Sequence, residues 1–290
     1  MQADRTPGGA EREGGGVDRG ARSAGIDGRP VSEVVDRPTK PEVVDRRPER
    51  IEAMFGAIAA RYDLMNRLMT AGLDRRWRRA AAGAADLSPA QRALDVCCGT
   101  GDLVLALARR YPGSHVTGVD FSEEMLRLAR GKAERAGLGG TVEFVRGDLL
   151  QLPFADDSFA ATTVAFGVRN VTDLSRAFAE MRRVTRPGGR VVCLEISTPP
   201  GGPGRRFHEL WFDRLVPALG RLVAEEGSAY SYLPASVRDF PTAERLSLVM
   251  FEAGLAAVHF VRFGFGIIAM HVGHVPGAGT GAEGDLAEGV

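Results

Sequence analysis

From Ala93 onward the apolar positions keep changing period, with short runs rich in β-branched residues giving way to stretches of helical spacing and back again. That alternation is the signature of βαβ units and a parallel sheet. It predicts strands over 93–97, 115–120, 142–146, 161–166 and 190–196, with helices over 102–110, 123–136 and 173–185. Thr172 stands where an N-cap would open the last of these helices. Two final apolar runs, 255–262 and 265–271, are parted only by Phe263 and Gly264. That is too short for a parallel crossover, so an antiparallel hairpin is expected to finish the sheet.

Two helical additions flank this pattern. Before the first strand, residues 48–85 carry Met54, Phe55, Ile58, Tyr62, Met65 and Leu68 at roughly helical spacing, which predicts helices covering an edge or a pocket. After the fifth strand, residues 205–226 mix Phe207, Leu210, Trp211, Leu215, Leu219 and Leu222 with charges, an amphipathic helical insert interrupted at Pro217. The ends are different in kind. Residues 1–47 are rich in Gly, Arg, Asp and Pro, and repeat Glu-Val-Val-Asp-Arg at 33–37 and 42–46; this composition cannot bury a core and predicts a disordered tail. Residues 276–290 are similar, leaving a single domain over 48–275.

Bulk composition narrows the function without naming it. With 37 basic and 37 acidic residues, no global field favours nucleic acid. The three cysteines, Cys97, Cys98 and Cys193, make no disulfide framework and read as free thiols of a reducing cytoplasm. No apolar run reaches the roughly 20 residues of a membrane span, and the first residues lack a secretory signal, so a cytoplasmic protein is expected. His271 and His274 do not read as a metal pair, because at strand spacing their side chains point to opposite faces. Arg75, Arg76, Arg78 and Arg79 read first as a solvated helix face, with binding of anionic lipid or nucleic acid as the alternative.

The chemistry concentrates at strand ends. The first strand closes on Asp95 and runs through Cys97-Cys98-Gly99-Thr100-Gly101 into a helix that opens at Asp102. Gly99 and Gly101 let a ligand approach the backbone closely. A dinucleotide fingerprint would need a third glycine where Val104 stands, and Asp95 and Asp102 would gain little beside a pyrophosphate. A cationic cofactor suits the loop better, and S-adenosylmethionine carries a sulfonium and no phosphate. Asp120 ends the second strand, 19 positions after Gly101 (120 − 101), where a carboxylate can accept from both ribose hydroxyls. Asp148, followed by Leu149, ends the third, where it could accept from an adenine amino group.

Motifs outside that loop carry a resemblance. Tyr62-Asp63-Leu64-Met65-Asn66 with Trp77, Phe166-Gly167-Val168-Arg169-Asn170-Val171-Thr172-Asp173, Arg183 to Gly189 with Glu195-Ile196-Ser197, and Tyr232-Leu233-Pro234 with Phe240-Pro241 closely resemble the menaquinone and ubiquinone biosynthesis C-methyltransferase family. The resemblance runs from about Pro48 to Gly273. This chain departs from the family pattern at Cys97, where glycine is common, at Thr70 and Ala165, where serine is usual, and at Asp74, where histidine is usual. The fold it implies is α/β: a Rossmann-like class I methyltransferase with a mostly parallel seven-stranded sheet ending in an antiparallel hairpin.

The activity it implies is methyl transfer from S-adenosylmethionine to a ring carbon of a polyprenyl quinol, with demethylmenaquinol giving menaquinol as the first reading. C-methylation of a polyprenyl benzoquinol in ubiquinone synthesis, and a non-catalytic scaffold subunit of quinone synthesis, are the alternatives. In this scheme Arg169 stabilises the developing phenolate, since a guanidinium keeps its proton, and Asn170 orients the phenolate or a water that carries the proton away. Tyr62 and Asn66, with Tyr230 and Tyr232 opposite, line the ring pocket. Trp211 and Phe212 of the insert form a wall for the isoprenoid tail and a contact with the inner face of the membrane. A homodimer stays open.

Overall fold

The computed structural model describes residues 45–211, residue 214 and residues 228–277. Both tails up to 44 and from 278, and the insert positions Phe212, Leu215, Pro217, Leu219 and Leu222, lie outside the described residues.

Two helices, α1 (Pro48–Thr70) and α2 (Asp74–Ala84), precede the sheet. Then β1 (Arg92–Val96), α3 (Asp102–Arg110), β2 (His115–Asp120), α4 (Glu123–Arg135) and β3 (Val142–Arg146) form two βαβ units. The chain crosses back to β4 (Phe159–Ala165), continues through α5 (Leu174–Val184) and β5 (Thr185–Ile196), and enters the insert at α6 (Gly202–Leu210). It ends with α7 (Ser228–Arg238), α8 (Ala243–Glu252), β6 (Ala256–Phe263) and β7 (Ile268–His274). Strand order is β3-β2-β1-β4-β5-β7-β6. The pairs from β3 to β5 are parallel, and β7 runs antiparallel to both β5 and β6. The order reverses between β1 and β4, so a crevice opens at their carboxyl ends, the switch point where open α/β sheets take ligands.

Each sheet face buries one apolar layer. On one side Phe178 and Met181 of α5 meet Leu246 and Met250 of α8; on the other Trp77 and Ala81 of α2 pack with Leu103 and Leu107 of α3. All three cysteines are free, and Cys193 sits inside β5.

Several boundaries move from the sequence expectation, each for a local reason. The N-cap of α5 is Asp173, whose side chain accepts from the Arg176 N–H, and not Thr172. Val168–Asn170 forms a 3₁₀ turn that uses up the strand exit, which leaves the helix to start one residue later on a carboxylate suited to the positive helix end. Strand β5 begins at Thr185, because Arg186 to Gly189 are taken up in a break of register against β4. The closing hairpin turns through Gly264–Gly266, with Gly264 and Gly266 both at positive φ, so β7 starts at Ile268.

Phe178 is fully buried between α5 and the sheet. Phe178→Ala should therefore lower unfolding free energy by about 3–5 kcal/mol in urea titrations.

Candidate functional site

The glycine-rich turn after β1 is held by backbone bonds: the Cys98 N–H donates to the Val119 carbonyl and the Gly101 N–H to the Cys98 carbonyl. Cys97, Gly99 and Gly101 all lie in the left-handed region, at φ 51°, 53° and 80°. For Cys97 that conformation costs about 1–2 kcal/mol, a strain that glycine, with no Cβ, would not carry. The turn also presses against the exit of β4. A Cβ added to Gly167 would meet the Cys97 Cβ at 2.4 Å, so the close approach of the two strand exits requires glycine at 167.

Above this contact lies a cavity of about 330 Å³. Gly99, Asp120, Asp148, Leu149 and Asn170 line it from the sheet side, and Ile51, Phe55 and Tyr62 of α1 cover it. The Asp120 carboxylate accepts from the Gly99 N–H (2.8 Å) and the Ser122 N–H (3.0 Å). A carboxylate has about four acceptor sites, which leaves room for two further donors such as a ribose diol. Burial raises the Asp120 pKa, while the amides of Ser122, Gly99 and Phe121 oppose the rise. Asp148 accepts from the Leu150 N–H through Oδ1. This set of acceptors thus fits a neutral adenosine moiety carrying a cationic tail.

The other residues expected around the cofactor sit deeper. Asp95 and Thr100 line a small cavity of about 20 Å³ beneath the turn, together with Tyr62 and Arg78. Thr100 donates to Asp63 of α1 (2.6 Å), and Lys132 of α4 bonds Asp63 (2.8 Å), Thr100 (2.9 Å) and Asp102. Burial pushes the Asp102 carboxyl up, but Lys132, Arg78 and Arg67 together outweigh it and hold the group low. Gly101 faces neither cavity; it packs against Ala129 and Phe144. Arg78, expected on a solvated face, is buried, stacked over the Phe166 ring at 4.8 Å and paired with Asp74.

A second cavity, about 290 Å³ and lined almost wholly by apolar side chains, opens on the far side of Phe166. Its walls include Met69, Trp77, Trp211, Leu233 and Ile268, with Asn66, Thr70 and Arg169 among the polar groups. Phe166, at φ 62°, lines both cavities. A smaller space of about 50 Å³ is shared by Tyr62, Asn66, Arg169 and Tyr232. The segment 166–170 is therefore the partition between a chamber edged by the Asp120 and Asp148 carboxylates and a more apolar one. Tyr230 has no described side chain.

Arg169 is fixed from several directions. Its Nη1 donates to Glu195 Oε1 (2.9 Å) and to the Phe166 carbonyl, and the side chains of Arg169 and Glu195 are only 8% and 1% exposed. Burial works against the guanidinium charge, but Glu195, with Tyr62 and Tyr232, outweighs it and the pKa is raised. Arg169 does not pair with Asp173, which is occupied as a helix cap. Its Nε is buried and meets no acceptor. Tyr232 donates to Asn170 Oδ1 (3.0 Å), and Arg46 donates to the Arg169 carbonyl (2.9 Å). Sequence reasoning missed Glu195 and Arg46 as parts of the site. The end of β5, quoted as Glu195-Ile196-Ser197, held the first signal; Arg46 lay in a stretch read as tail.

The ubiE/COQ5 methyltransferase family model matches residues 43–275. A Thermus thermophilus protein named demethylmenaquinone methyltransferase is 47% identical over 223 residues, covering 77% of this chain and all of the relative. A Geobacter sulfurreducens protein named ubiquinone/menaquinone biosynthesis C-methyltransferase UbiE is 43% identical, covering 78% of this chain and 88% of the relative. A SAM-dependent methyltransferase from Aquifex aeolicus superposes with a TM-score of 0.51 at 17% identity, over 68% of this chain and 89% of its own; that likeness concerns the fold alone.

Burial pushes the Asp95 carboxyl up to about 7, opposed by the Thr163 hydroxyl and Arg78 and reinforced by Asp120. A raised acid costs stability as pH climbs. At about pH 4 the folded chain keeps this proton at little cost, and on the way to neutrality the unfolded chain releases it first. Asp95→Asn removes the effect. Between about pH 4 and about pH 8, urea titrations should show the variant gaining on the order of 4 kcal/mol relative to the natural chain.

Proposed function

The chain belongs to the ubiE/COQ5 methyltransferase family, and we propose from that footing that its two chambers divide the reactants of a quinol C-methylation between them. It is an S-adenosylmethionine-dependent methyltransferase of menaquinone synthesis, with demethylmenaquinol as acceptor. The acid-lined chamber would hold the cofactor through Asp120, Asp148, Leu149 and the backbone at Gly99, with α1 as its cover. The apolar chamber would hold the quinol ring and the start of its isoprenoid tail, against Trp77, Phe207 and Trp211. That chamber suits a lipid acceptor because, among the described residues, its only charged wall is Arg169.

When bound, S-adenosylmethionine supplies an electrophilic methyl group on a sulfonium. The protein's part is to make the acceptor ring nucleophilic and to keep water away. A ring carbon beside a phenolic hydroxyl gains electron density as that hydroxyl loses its proton. Arg169 would favour the phenolate as a fixed cation in a water-poor chamber, where a charge–charge hydrogen bond is strong. The observation that carries this role is its buried Nε, a donor with no acceptor among the described residues. Glu195 and the Phe166 carbonyl hold Nη1, which fixes the guanidinium plane and with it the direction of the Nε–H. Arg169 does not remove the proton itself, because its pKa is raised further by Glu195. Asn170, turned by the Tyr232 hydroxyl, would orient the quinol oxygen or a water that takes the proton. Because the acceptor is a lipid, the protein works at a membrane surface; no helix of the described residues is long and apolar enough to cross one.

Purified protein with labelled S-adenosylmethionine should methylate a short-chain demethylnaphthoquinol, and Arg169→Ala should lower kcat by about 100-fold or more while cofactor affinity stays near that of the natural chain. Arg169→Lys should not rescue, because an ammonium cannot reproduce the fork. Near-normal turnover by the alanine variant would overturn the role. No transfer to naphthoquinol, with transfer to benzoquinol, would shift the acceptor to ubiquinone synthesis.

A further inference from the structure

On the outer side of α2, α3 and α4 runs an open groove of about 1000 Å³ that neither chamber uses. Arg67, Arg75, Arg79, Arg109, Arg110 and Arg135 line it, all exposed. Among the described residues none of the six makes an ion pair, whereas Arg127, Arg130, Arg183, Arg205 and Arg262 elsewhere on the surface each have an acidic partner. In a chain with 37 basic and 37 acidic residues, such a concentration is a local arrangement and not a consequence of net charge. The helix dipole explains cations at the ends of α1, α3 and α4. It does not explain Arg75 and Arg79, which crowd the first turns of α2, where the dipole disfavours them.

The groove adjoins the apolar chamber through one corner of the chain. Between residues 67 and 79, the positions Met69, Thr70, Ala71, Leu73 and Trp77 line the chamber, and Arg67, Arg75 and Arg79 line the groove. On that corner Leu64, Leu68 and Leu73 are 54%, 48% and 45% exposed. Exposed leucines beside unpaired arginines are what an interfacial surface presents, apolar side chains for the acyl boundary and guanidinium forks for phosphate oxygens.

We propose that this groove and the α1–α2 corner form a docking surface for an anionic phospholipid bilayer, which brings the mouth of the apolar chamber to the lipid. The proposal rests on the lipid-acceptor reading above. Among the described residues the groove is lined by no aromatic side chain on which bases could stack, which disfavours single-stranded nucleic acid as its occupant.

The test is flotation of the full chain with phosphatidylcholine vesicles and with mixed phosphatidylcholine–phosphatidylglycerol vesicles, at low and high salt. Binding should require the anionic lipid and fall with salt. Arg75→Gln with Arg79→Gln should weaken it by about 25-fold, at about fivefold per charge removed near an anionic surface. Leu64→Ser with Leu68→Ser should weaken it as well. Both double variants should keep natural turnover on a water-soluble short-chain quinol without vesicles, which also shows that they fold. Equal binding to neutral vesicles, unchanged binding by the arginine variant, or tighter binding to a polynucleotide than to anionic vesicles would overturn the proposal. Loss of soluble turnover by the natural chain would instead overturn the reaction itself.

Discussion

The contact between Arg169 and Glu195 joins the exits of two neighbouring parallel strands, and the chambers on both sides are built around it. Two opposite charges so far from water are stable only together, since removing one partner from such a pair costs about 3–5 kcal/mol. Glu195 is held in turn by the N–H groups of Ile196 and Arg169, so the end of β5 and the turn after β4 cannot shift independently. A buried ion pair is a poor device for stability, because hydrophobic residues of the same volume often do better. Its value here is geometric. It stands one strong donor at the boundary between a polar space and an apolar one and leaves one of its nitrogens free.

The cover over the polar chamber is attached differently. Helix α1 reaches the sheet layer through Lys132, which bonds Asp63 from α1 and Thr100 and Asp102 from the glycine-rich turn. The same ammonium therefore ties the cover to the loop that shapes the floor. An arginine could not replace it, because a planar fork does not reach three acceptors arranged around a point. The apolar layers beneath are independent of this link, so the cover and the core answer to different forces.

Much of this was legible in the sequence where local chemistry decides the outcome. The spans of β2, β3 and α3 match the apolar periods, and the acids at the ends of β2 and β3 open on the expected cavity. What was not legible depends on residues distant in sequence. Glu195 reads as the last charge of a buried strand until Arg169, 26 positions earlier, is brought beside it. Arg78 reads as one of four surface arginines until Asp74 and the Phe166 ring enclose it. The start of α5 was misread for a smaller reason: two acceptable caps stand side by side, and the 3₁₀ turn before them selects the second.

The close approach of Cys97 and Gly167 has a consequence for how this chain could have changed over time. With a side chain at 97 the neighbouring exit admits only glycine, because any Cβ at 167 would overlap that of Cys97. With glycine at 97 that overlap vanishes and position 167 is freer. Acquiring a cysteine at 97 thus required glycine to be at 167 already, and afterwards it closed the route by which 167 could vary. The two positions, 70 residues apart (167 − 97), are therefore coupled: while cysteine stands at 97, 167 must stay glycine.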